Sequence, residues 1–261
     1  MSINIAGVKI NNLTKQQVLE KLEIFLHIPE QHQIATVNPE FIVKAQKDEE
    51  FKNILNECGL CVPDGFGLIL ASKFLKQPLK ERITGVDLIW DIANLCEQNK
   101  CSIYLLGGKE GTAEKTAEIL KKKYPELRVI GNSAIIINEQ LSPYGGSPEG
   151  RLITDDLLDK INEFKPDVLL VALGQVKQEK WIDKNLPKLP NVKFAVGVGG
   201  SFDFISRQVK RAPKFMRKIG MEWLWRLIRE PWRWKRIYNA VIKFSWVVLT
   251  KKEAYIKIKK T

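Results

Sequence analysis

Short apolar runs alternate with amphipathic segments through most of this chain, and that alternation restricts its fold more than any other feature. Four of the runs are CSIYLLGG, LRVIGN, PDVLLVALG and VKFAVGVGG, each with glycine at or near its end. Strands without polar alternation are typically covered on both faces, as in a parallel sheet between helices. The pattern therefore predicts an α/β fold.

The segments around these runs indicate where strands end and helices begin. HQIATVNPEFIVKAQKDEEFKNILN predicts a strand to Thr36, a loop at Asn38–Pro39 and then one helix with its acids and lysines outside. KEGTAEKTAEILKKKYPEL predicts an amphipathic helix capped near Thr112. The expected architecture is a Rossmann-like, mostly parallel sheet sandwiched by helices. Residues 138–151 are rich in turn formers and predict an exposed loop.

In such a sheet, ligands collect at the carboxyl ends of the strands. The glycines expected there let backbone N–H groups approach a phosphate, although a strand-ending glycine more often makes only a tight turn. These candidate substrate-binding glycines are Gly107, Gly108, Gly199 and Gly200. The chain has no G-x-G-x-x-G motif, so dinucleotide binding is not supported.

The basic charge of the chain belongs to its C-terminal part. Residues 207–261 contain 17 lysines and arginines against three acids, in a chain whose net charge is +12, and five of the seven tryptophans. We therefore predict an α/β core over residues 1–206 and a helical, basic, Trp-rich appendage over 207–261. Mixed cations and indoles suit a membrane interface or a nucleic acid.

Other features narrow the class of protein. The longest apolar candidate for a membrane span, residues 240–250, is short and contains Lys243, and the N-terminus lacks a signal-peptide pattern. We expect a cytoplasmic protein. The four cysteines, spaced C-x2-C and C-x4-C, allow a zinc site, but buried thiols are the favoured interpretation. Only His27 and His32 are available, which argues against a Ser-His-Asp apparatus.

Several polar residues stand where chemistry is expected. Asp64, in CVPDGFG, follows a short apolar run, so its carboxylate should project from a strand end; a turn aspartate is the simpler alternative. Arg82, in KERITG, is by itself more typical of a surface arginine. Gln175 and Gln178, in LGQVKQEKWI, stand near a helix N-terminus, where polar residues are usually caps.

Four arginines of the appendage have helical spacing. Arg226, Arg229, Arg233 and Arg236 are separated by 3, 4 and 3 residues, so on one continuous helix they would share a face. Guanidinium groups bind phosphate oxygens well. Pro231 either kinks that helix or starts a second one. A solvated face or contact with lipid headgroups alone remains the alternative.

Seven segments occur in a characteristic order between about residue 4 and residue 237. They are TVNPEFI, VPDGFGLILASKFL, ERITGVDLI, YLLGGKEGTAEK, LGQVKQEKWI, AVGVGGSFDFIS and RAPKFMRKIGMEWLWRLIREP. Together they resemble the motifs of the WecG/TagA/CpsF family of bacterial glycosyltransferases. The resemblance implies an inverting, metal-independent, membrane-associated enzyme without a cofactor. It would transfer N-acetylmannosamine, or its uronate, from UDP to polyprenyl-diphosphate-linked N-acetylglucosamine, in cell-surface polysaccharide synthesis of the wall teichoic acid kind.

The resemblance also implies roles for individual residues. Asp64 matches the catalytic base, and Arg82 and Gln178 match pocket residues expected to assist it. The remaining matches are Thr36 and Asn38 in the pocket, Asp203 facing the uridine, and Arg226, Arg233 and Arg236 on the diphosphate. An inverting transfer needs a base and stabilisation of the leaving diphosphate. Since the chain has no Asp-x-Asp motif for a metal, side-chain cations are expected to stabilise the leaving diphosphate.

Two departures from the family pattern affect these expectations. The family's Gly-Ala-Pro-Lys-Gln-Glu is Gly174-Gln-Val-Lys-Gln-Glu179 here, so the helix entry lacks its proline. GNSAIIINEQLSPYGGSPEG replaces a segment that helps to shape the donor pocket. The donor sugar is therefore left open among N-acetylmannosamine, its uronate, and glucose or galactose derivatives.

The expected partners are a UDP-sugar, the lipid-linked acceptor and an anionic membrane surface, with the protein peripheral on the inner face of the cell membrane. Self-association into a homo-oligomer is left open. Two hypotheses from other classes compete: a nucleic-acid-binding protein that uses the basic aromatic appendage, and an inactive membrane scaffold. The first accounts for the appendage but assigns no role to Asp64 or Arg82, and nucleic acid is not an expected partner.

Overall fold

A computed structural model of the chain describes residues 2–133 and 155–258. The loop predicted over residues 138–151, and nearly all of the segment that departs from the family pattern, lie outside these ranges. The strands are β1 (Ser2–Ile5), β2 (Val8–Asn11), β3 (His32–Val37), β4 (Leu60–Pro63), β5 (Ser102–Gly107), β6 (Arg128–Asn132), β7 (Val168–Ala172) and β8 (Phe194–Gly197).

Helices occupy most of the chain between and after these strands. They are α1 (Lys15–His27), α2 (Pro39–Ala45), α3 (Glu49–Glu57), α4 (Phe66–Phe74), α5 (Gly85–Gln98), α6 (Thr112–Lys123), α7 (Asp155–Phe164), α8 (Lys177–Asn185), α9 (Ser201–Ile205), α10 (Lys214–Lys218), α11 (Glu222–Arg229), α12 (Trp234–Tyr238) and α13 (Phe244–Ile258). Short 3-10 helices cover Leu186–Lys188 and Pro231–Arg233, and a π-helical turn covers Asn239–Lys243.

Six strands form one parallel sheet in the order β4-β3-β8-β7-β5-β6, which confirms the predicted α/β class. In its register, Ile103 of β5 lies opposite Val168 of β7 on one side and Val129 of β6 on the other. Strands β4, β5, β7 and β8 are buried along their whole length, as expected for strands covered on both faces. Strands β1 and β2 form a separate antiparallel hairpin.

By packing, the chain divides into two compact units that interleave along the sequence. The first comprises residues 1–16, 36–84 and 210–261, and the second comprises residues 17–35 and 85–209. The boundary that we predict after residue 206, between an α/β core and a basic appendage, stays a prediction. In the second unit, β5, β7 and β8 pack on α7 and α8 through a core of Leu, Ile and Val side chains around Tyr104.

The helix expected after Pro39 is wrong in two respects. The segment forms two helices, because Asp48 caps α3 by accepting a hydrogen bond from the Phe51 N–H at 3.0 Å and so ends α2 before it. Its acids are not all outside either, since Glu40 is buried. A buried carboxylate needs a partner, and Glu40 has one in the C-terminal part of the chain.

The single helix considered for the appendage arginines is also not formed. Helix α11 ends at Arg229, and Glu230 has φ −133° and ψ 69°, outside the helical region. The following Pro231 explains this, because proline disfavours helical backbone in the residue before it. Pro231 then begins a new helical segment, the second of the two alternatives. Within residues 2–133 and 155–258, no helix combines the length and apolarity needed to cross a membrane.

Candidate active site

In the first unit, the turn that carries Asp64 lies against the turn that follows β3. The Asp64 N–H donates to the Val37 carbonyl oxygen at 2.7 Å, immediately after β4 ends at Pro63. Gly65 faces Pro39 so closely that a Cβ at this position would overlap the proline ring. Asp64 is therefore held at the carboxyl end of β4, where the sequence predicts it.

Thr36 and Asn38 flank the same point at the end of β3. The Thr36 side chain is buried. The Asn38 side-chain oxygen accepts hydrogen bonds from the N–H groups of Glu40 at 2.9 Å and Phe41 at 3.3 Å, and so caps α2. Asn38 thus fixes the start of this helix, a structural role beside the binding role that the resemblance implies.

Arg82 lies near the end of β4, because the residue after it is hydrogen-bonded to the last residue of that strand. The Ile83 N–H donates to the Pro63 carbonyl oxygen at 2.9 Å, which places the Arg82 segment beside the residue that precedes Asp64. The Arg82 guanidinium lies 3.7 Å from the Glu222 carboxylate. Glu222 also lies 3.6 Å from the guanidinium of Arg211, which donates to the Thr84 hydroxyl at 3.0 Å. This group of charges is not evident from the sequence.

The appendage arginines also contact carboxylates of the first unit. Arg236 forms a bidentate ion pair with Glu40 at 2.8 to 3.2 Å. The carboxylate is only 8% exposed, and this pairing explains how Glu40 is tolerated inside the protein. The guanidinium of Arg226 lies 3.9 Å from Glu230. The side chain of Arg233 lies outside the described set.

Apolar contacts hold the appendage on the rest of the first unit. Phe244 and Val248 of α13 are buried, and the Phe244 ring reaches Gly67 at the start of α4. Many other large apolar side chains of this segment are exposed. They are Phe215, Ile219, Trp223, Ile228, Trp232, Trp234, Tyr238, Val241, Ile242, Trp246 and Leu249. The appendage therefore buries a few anchors and presents an extensive apolar and aromatic surface, which we call the aromatic face.

In the second unit, the glycines after β5 adopt backbone conformations that favour glycine. Gly107 and Gly108 have φ of +92° and +84°. The Gly108 N–H donates to the Ala172 carbonyl oxygen at 2.9 Å, which joins the ends of β5 and β7. A Cβ at Gly108 would lie 2.5 Å from the hydroxyl oxygen of Thr112, the first residue of α6. The turn thus brings backbone against the start of a helix, as a phosphate site requires.

Gln178 is 1% exposed, and its side-chain amide makes two hydrogen bonds within the second unit. Its oxygen accepts from the Gly199 N–H at 3.0 Å, and its nitrogen donates to the Glu179 carboxylate at 2.6 Å. Glu179, also fully buried, accepts in turn from the Val176 N–H at 2.7 Å. These bonds position the Gly199 turn and the entry to α8. Sequence reasoning missed Glu179, although it falls within the family motif.

Gly200 precedes α9, and Asp203 lies in the first turn of that helix. The Asp203 side chain is buried, so its carboxylate is not simply a solvated surface charge. Lys177 begins α8, and burial lowers the pKa of its ammonium group from the usual value. The second unit thus has glycine turns at the ends of β5 and β8, with Asp203 on α9 after β8 and Lys177 on α8 after β7.

The cysteines occur as thiols. Cys58, Cys61 and Cys96 are buried, as the favoured interpretation predicts, whereas Cys101 is only partly buried. Burial raises the pKa of the Cys96 thiol well above its usual value and that of Cys101 to about 11. Among the residues that the structure describes, no three His, Cys, Asp or Glu side chains are grouped so that they could hold a metal ion.

Comparison with known proteins places these features in a family. The model of the "Glycosyl transferase WecG/TagA/CpsF family" matches residues 3–257. The N-acetylglucosaminyldiphosphoundecaprenol N-acetyl-beta-D-mannosaminyltransferase of Bacillus subtilis (strain 168) is 32% identical over 216 residues, covering 83% of this chain and 78% of that protein. The protein of the same name from Staphylococcus aureus (strain MRSA252) is 30% identical over 237 residues, covering 90% and 86%.

Proposed function

Because the chain belongs to the WecG/TagA/CpsF family of glycosyltransferases, we propose that it moves N-acetylmannosamine, or a related sugar, from a UDP-sugar to polyprenyl-diphosphate-linked N-acetylglucosamine. The acceptor and sugar named for the relatives from B. subtilis and S. aureus support this choice. The observation that carries the proposal is the placement of Asp64 at the carboxyl end of β4, with its backbone held on Val37 and the Arg82 segment beside it.

In this proposal, Asp64 is the general base. Its carboxylate accepts the proton of the acceptor hydroxyl while the hydroxyl oxygen bonds to the anomeric carbon of the donor sugar. The bond from that carbon to the diphosphate breaks on the opposite side, so the configuration inverts and UDP leaves with the bonding electrons. A positioned base contributes about 10²- to 10⁴-fold to such a step.

Arginine side chains stabilise the departing diphosphate in place of a metal ion. Arg226 and Arg236 are half-buried and lie next to carboxylates, which hold each guanidinium in place, and a guanidinium has enough N–H donors to bind a diphosphate as well. Phosphate oxygens match the guanidinium fork at least as well as a carboxylate does. We assign Arg233, the third family match, to the same task, and Arg82 to the substrate beside Asp64.

The second unit supplies the donor-binding groups. The backbone at Gly107, Gly108, Gly199 and Gly200 receives phosphate and ribose, with Asp203 opposite the uridine. Gln178 acts through the Gly199 turn, because both polar ends of its amide are already bonded within the protein. We therefore assign Gln178 as a positioning residue for the donor site rather than a group that touches the reacting atoms.

The aromatic face docks on the inner surface of the cell membrane, where a lipid-linked acceptor is available. Its tryptophans are suited to the headgroup layer, and each lysine or arginine near an anionic leaflet adds about 1 kcal/mol of attraction. The segment that carries this face also carries Arg226, Arg233 and Arg236, so docking and completion of the site are coupled in this proposal.

A transfer assay tests the proposed function. UDP-N-acetylmannosamine, its uronate and other UDP-hexoses are offered with a synthetic lipid-diphosphate-N-acetylglucosamine, and the glycosylated lipid is measured. Asp64→Asn should lower turnover about 100-fold or more at an unchanged melting temperature, since the amide cannot take the proton. Asp159→Asn removes an exposed carboxylate of α7 and serves as the control. Wild-type turnover in Asp64→Asn, or no product with any donor, would contradict the proposal.

A further inference from the structure

The first unit contains an open cavity of about 500 Å³, and of the residues that line it only Arg82 has a role above. Seven residues line it: Phe66, Ile69, Leu79, Lys80, Glu81, Arg82 and Arg217. The volume falls within the range of about 300 to 1,000 Å³ typical of ligand sites. Its lining is divided in character, with three large apolar side chains and three cations. A ligand that satisfies both parts is an anion joined to an apolar chain.

The charges of the cavity favour an anion. The lining includes the carboxylate of Glu81, which accepts a hydrogen bond from the Lys15 N–H at 2.6 Å. Glu222 is not part of the lining, and its carboxylate is shared by Arg82 and Arg211. The Nε of Arg217 is buried and makes no hydrogen bond within the described residues. The guanidinium of Arg217 lines the cavity, so its remaining N–H groups can donate to phosphate oxygens there.

The apolar part of the cavity lining lies mainly on α4, the helix that follows the proposed base Asp64. Phe66 stands two residues after Asp64 at the start of α4, and Ile69 lies one turn further along the same helix. Leu79 is buried and completes the apolar wall. The backbone of Gly220 lies against the Phe66 ring so closely that a Cβ there would overlap it. An apolar chain in the cavity would therefore run along α4.

We propose that this cavity binds the isoprenoid diphosphate part of the acceptor, with the diphosphate on Arg217, Lys80 and Arg82 and the first isoprene units on Phe66, Ile69 and Leu79. This inference rests on the proposed function and extends it by assigning the acceptor subsite. It accounts for an apolar wall and a cationic wall in one cavity, and for the exposed Phe215 and Ile219 on either side of Arg217, which would face the membrane that holds the rest of the lipid.

Direct binding to the full chain tests the assignment, with farnesyl diphosphate, inorganic pyrophosphate and farnesol as probes in titration calorimetry. We expect farnesyl diphosphate to bind at least about tenfold more tightly than pyrophosphate, because the prenyl chain buries apolar surface. Ile69→Gln should remove most of this preference. Leu70→Gln is the matched control, since Leu70 is the next residue of α4, exposed, and not part of the lining.

The cationic wall is tested in the same way. Arg217→Gln should weaken both farnesyl diphosphate and pyrophosphate about fivefold or more, while farnesol binding is unchanged. Lys73→Gln, at an exposed position on α4 outside the lining, should leave all three affinities as in the wild type. Thermal unfolding of each variant verifies that the fold is retained.

Equal affinity for farnesyl diphosphate and pyrophosphate in the wild type would overturn the assignment, as would equal effects of Ile69→Gln and Leu70→Gln. Failure of the proposed function gives a different result. A chain that transfers no sugar to any acceptor refutes that function whatever it binds. A chain that transfers sugar equally well to prenylated and short-alkyl acceptors refutes the cavity assignment alone.

Discussion

At the scale of single residues, the shared carboxylate of Glu222 lies within 3.6 to 3.7 Å of two guanidinium groups. Arg82 and Arg211 would otherwise repel each other, and half-buried cations interact more strongly than solvated ones. Glu222 therefore holds Arg82 in position for the role proposed for it beside Asp64. The sequence contains the three segments involved, ERITG, RAP and MEW, but it does not show that one acid joins the first two.

We expect Glu222→Gln to reduce turnover about fivefold with both substrates saturating, which corresponds to the loss of about 1 kcal/mol of ion pairing. The amide keeps the shape but not the charge, so the melting temperature should change little. Steady-state kinetics separate this effect on kcat from an effect on KM for the donor. Glu118→Gln, at an exposed position on α6, is the control. Kinetics identical to the wild type would show that Arg82 does not depend on Glu222.

At the scale of elements, the backbone conformation at the entry to α8 is incompatible with the proline that the family motif has at this position. Val176 stands at the proline position with φ +73° and ψ −49°, a conformation close to that of the γ-turn with positive φ, which is strained for a β-branched residue. Its N–H donates to Glu179. Proline cannot occupy this site in the present structure, because its ring fixes φ near −65° and it has no N–H.

Val176→Pro should therefore destabilise the chain by about 2 kcal/mol or more, although it restores the family residue. Val176→Ala, which keeps the N–H and can adopt the same positive φ, should stay within about 1 kcal/mol of the wild type. Chemical denaturation at equilibrium measures both. If Val176→Pro unfolds at the wild-type denaturant concentration, the helix entry has a different backbone conformation from the one described.

At the scale of the whole molecule, the proposed membrane docking depends on the aromatic face of the folded appendage. Trp232 and Trp246 are 72% and 69% exposed, whereas Phe244 and Val248 are buried against the first unit. Deleting residues 207–261 would thus remove part of a packed core as well as the docking surface. Substitutions in the exposed tryptophans test docking without that complication.

We expect the double variant Trp232→Gln/Trp246→Gln to bind phosphatidylglycerol vesicles about tenfold more weakly, since two interfacial indoles are lost. Sedimentation with vesicles measures the binding, and Ile24→Gln, at an exposed position of α1, is the control. Unchanged vesicle binding would contradict the role of the aromatic face. Tight, steeply salt-dependent binding of single-stranded RNA that is lost in the double variant would instead support the nucleic-acid hypothesis.

Much of the fold could be predicted from the chain itself because it depends on local pattern. The buried strands, the parallel sheet and the strand-end positions of Asp64 and Asn38 all follow from apolar runs and the residues that end them. The alternatives at Pro231 could also be stated, because proline acts on its own backbone and on the residue before it.

The partners of the charged groups could not be predicted in this way. The ion pair of Glu40 with Arg236 joins residues 196 positions apart, and the sequence pattern alone places Glu40 on the outside of its helix. The same holds for Glu222 between two arginines and for the Gln178 amide on Gly199. Composition and periodicity determine which segments become strands and helices. Only the tertiary structure decides which charges meet, because pairing depends on distance in space and on the desolvation that makes a buried charge require a partner.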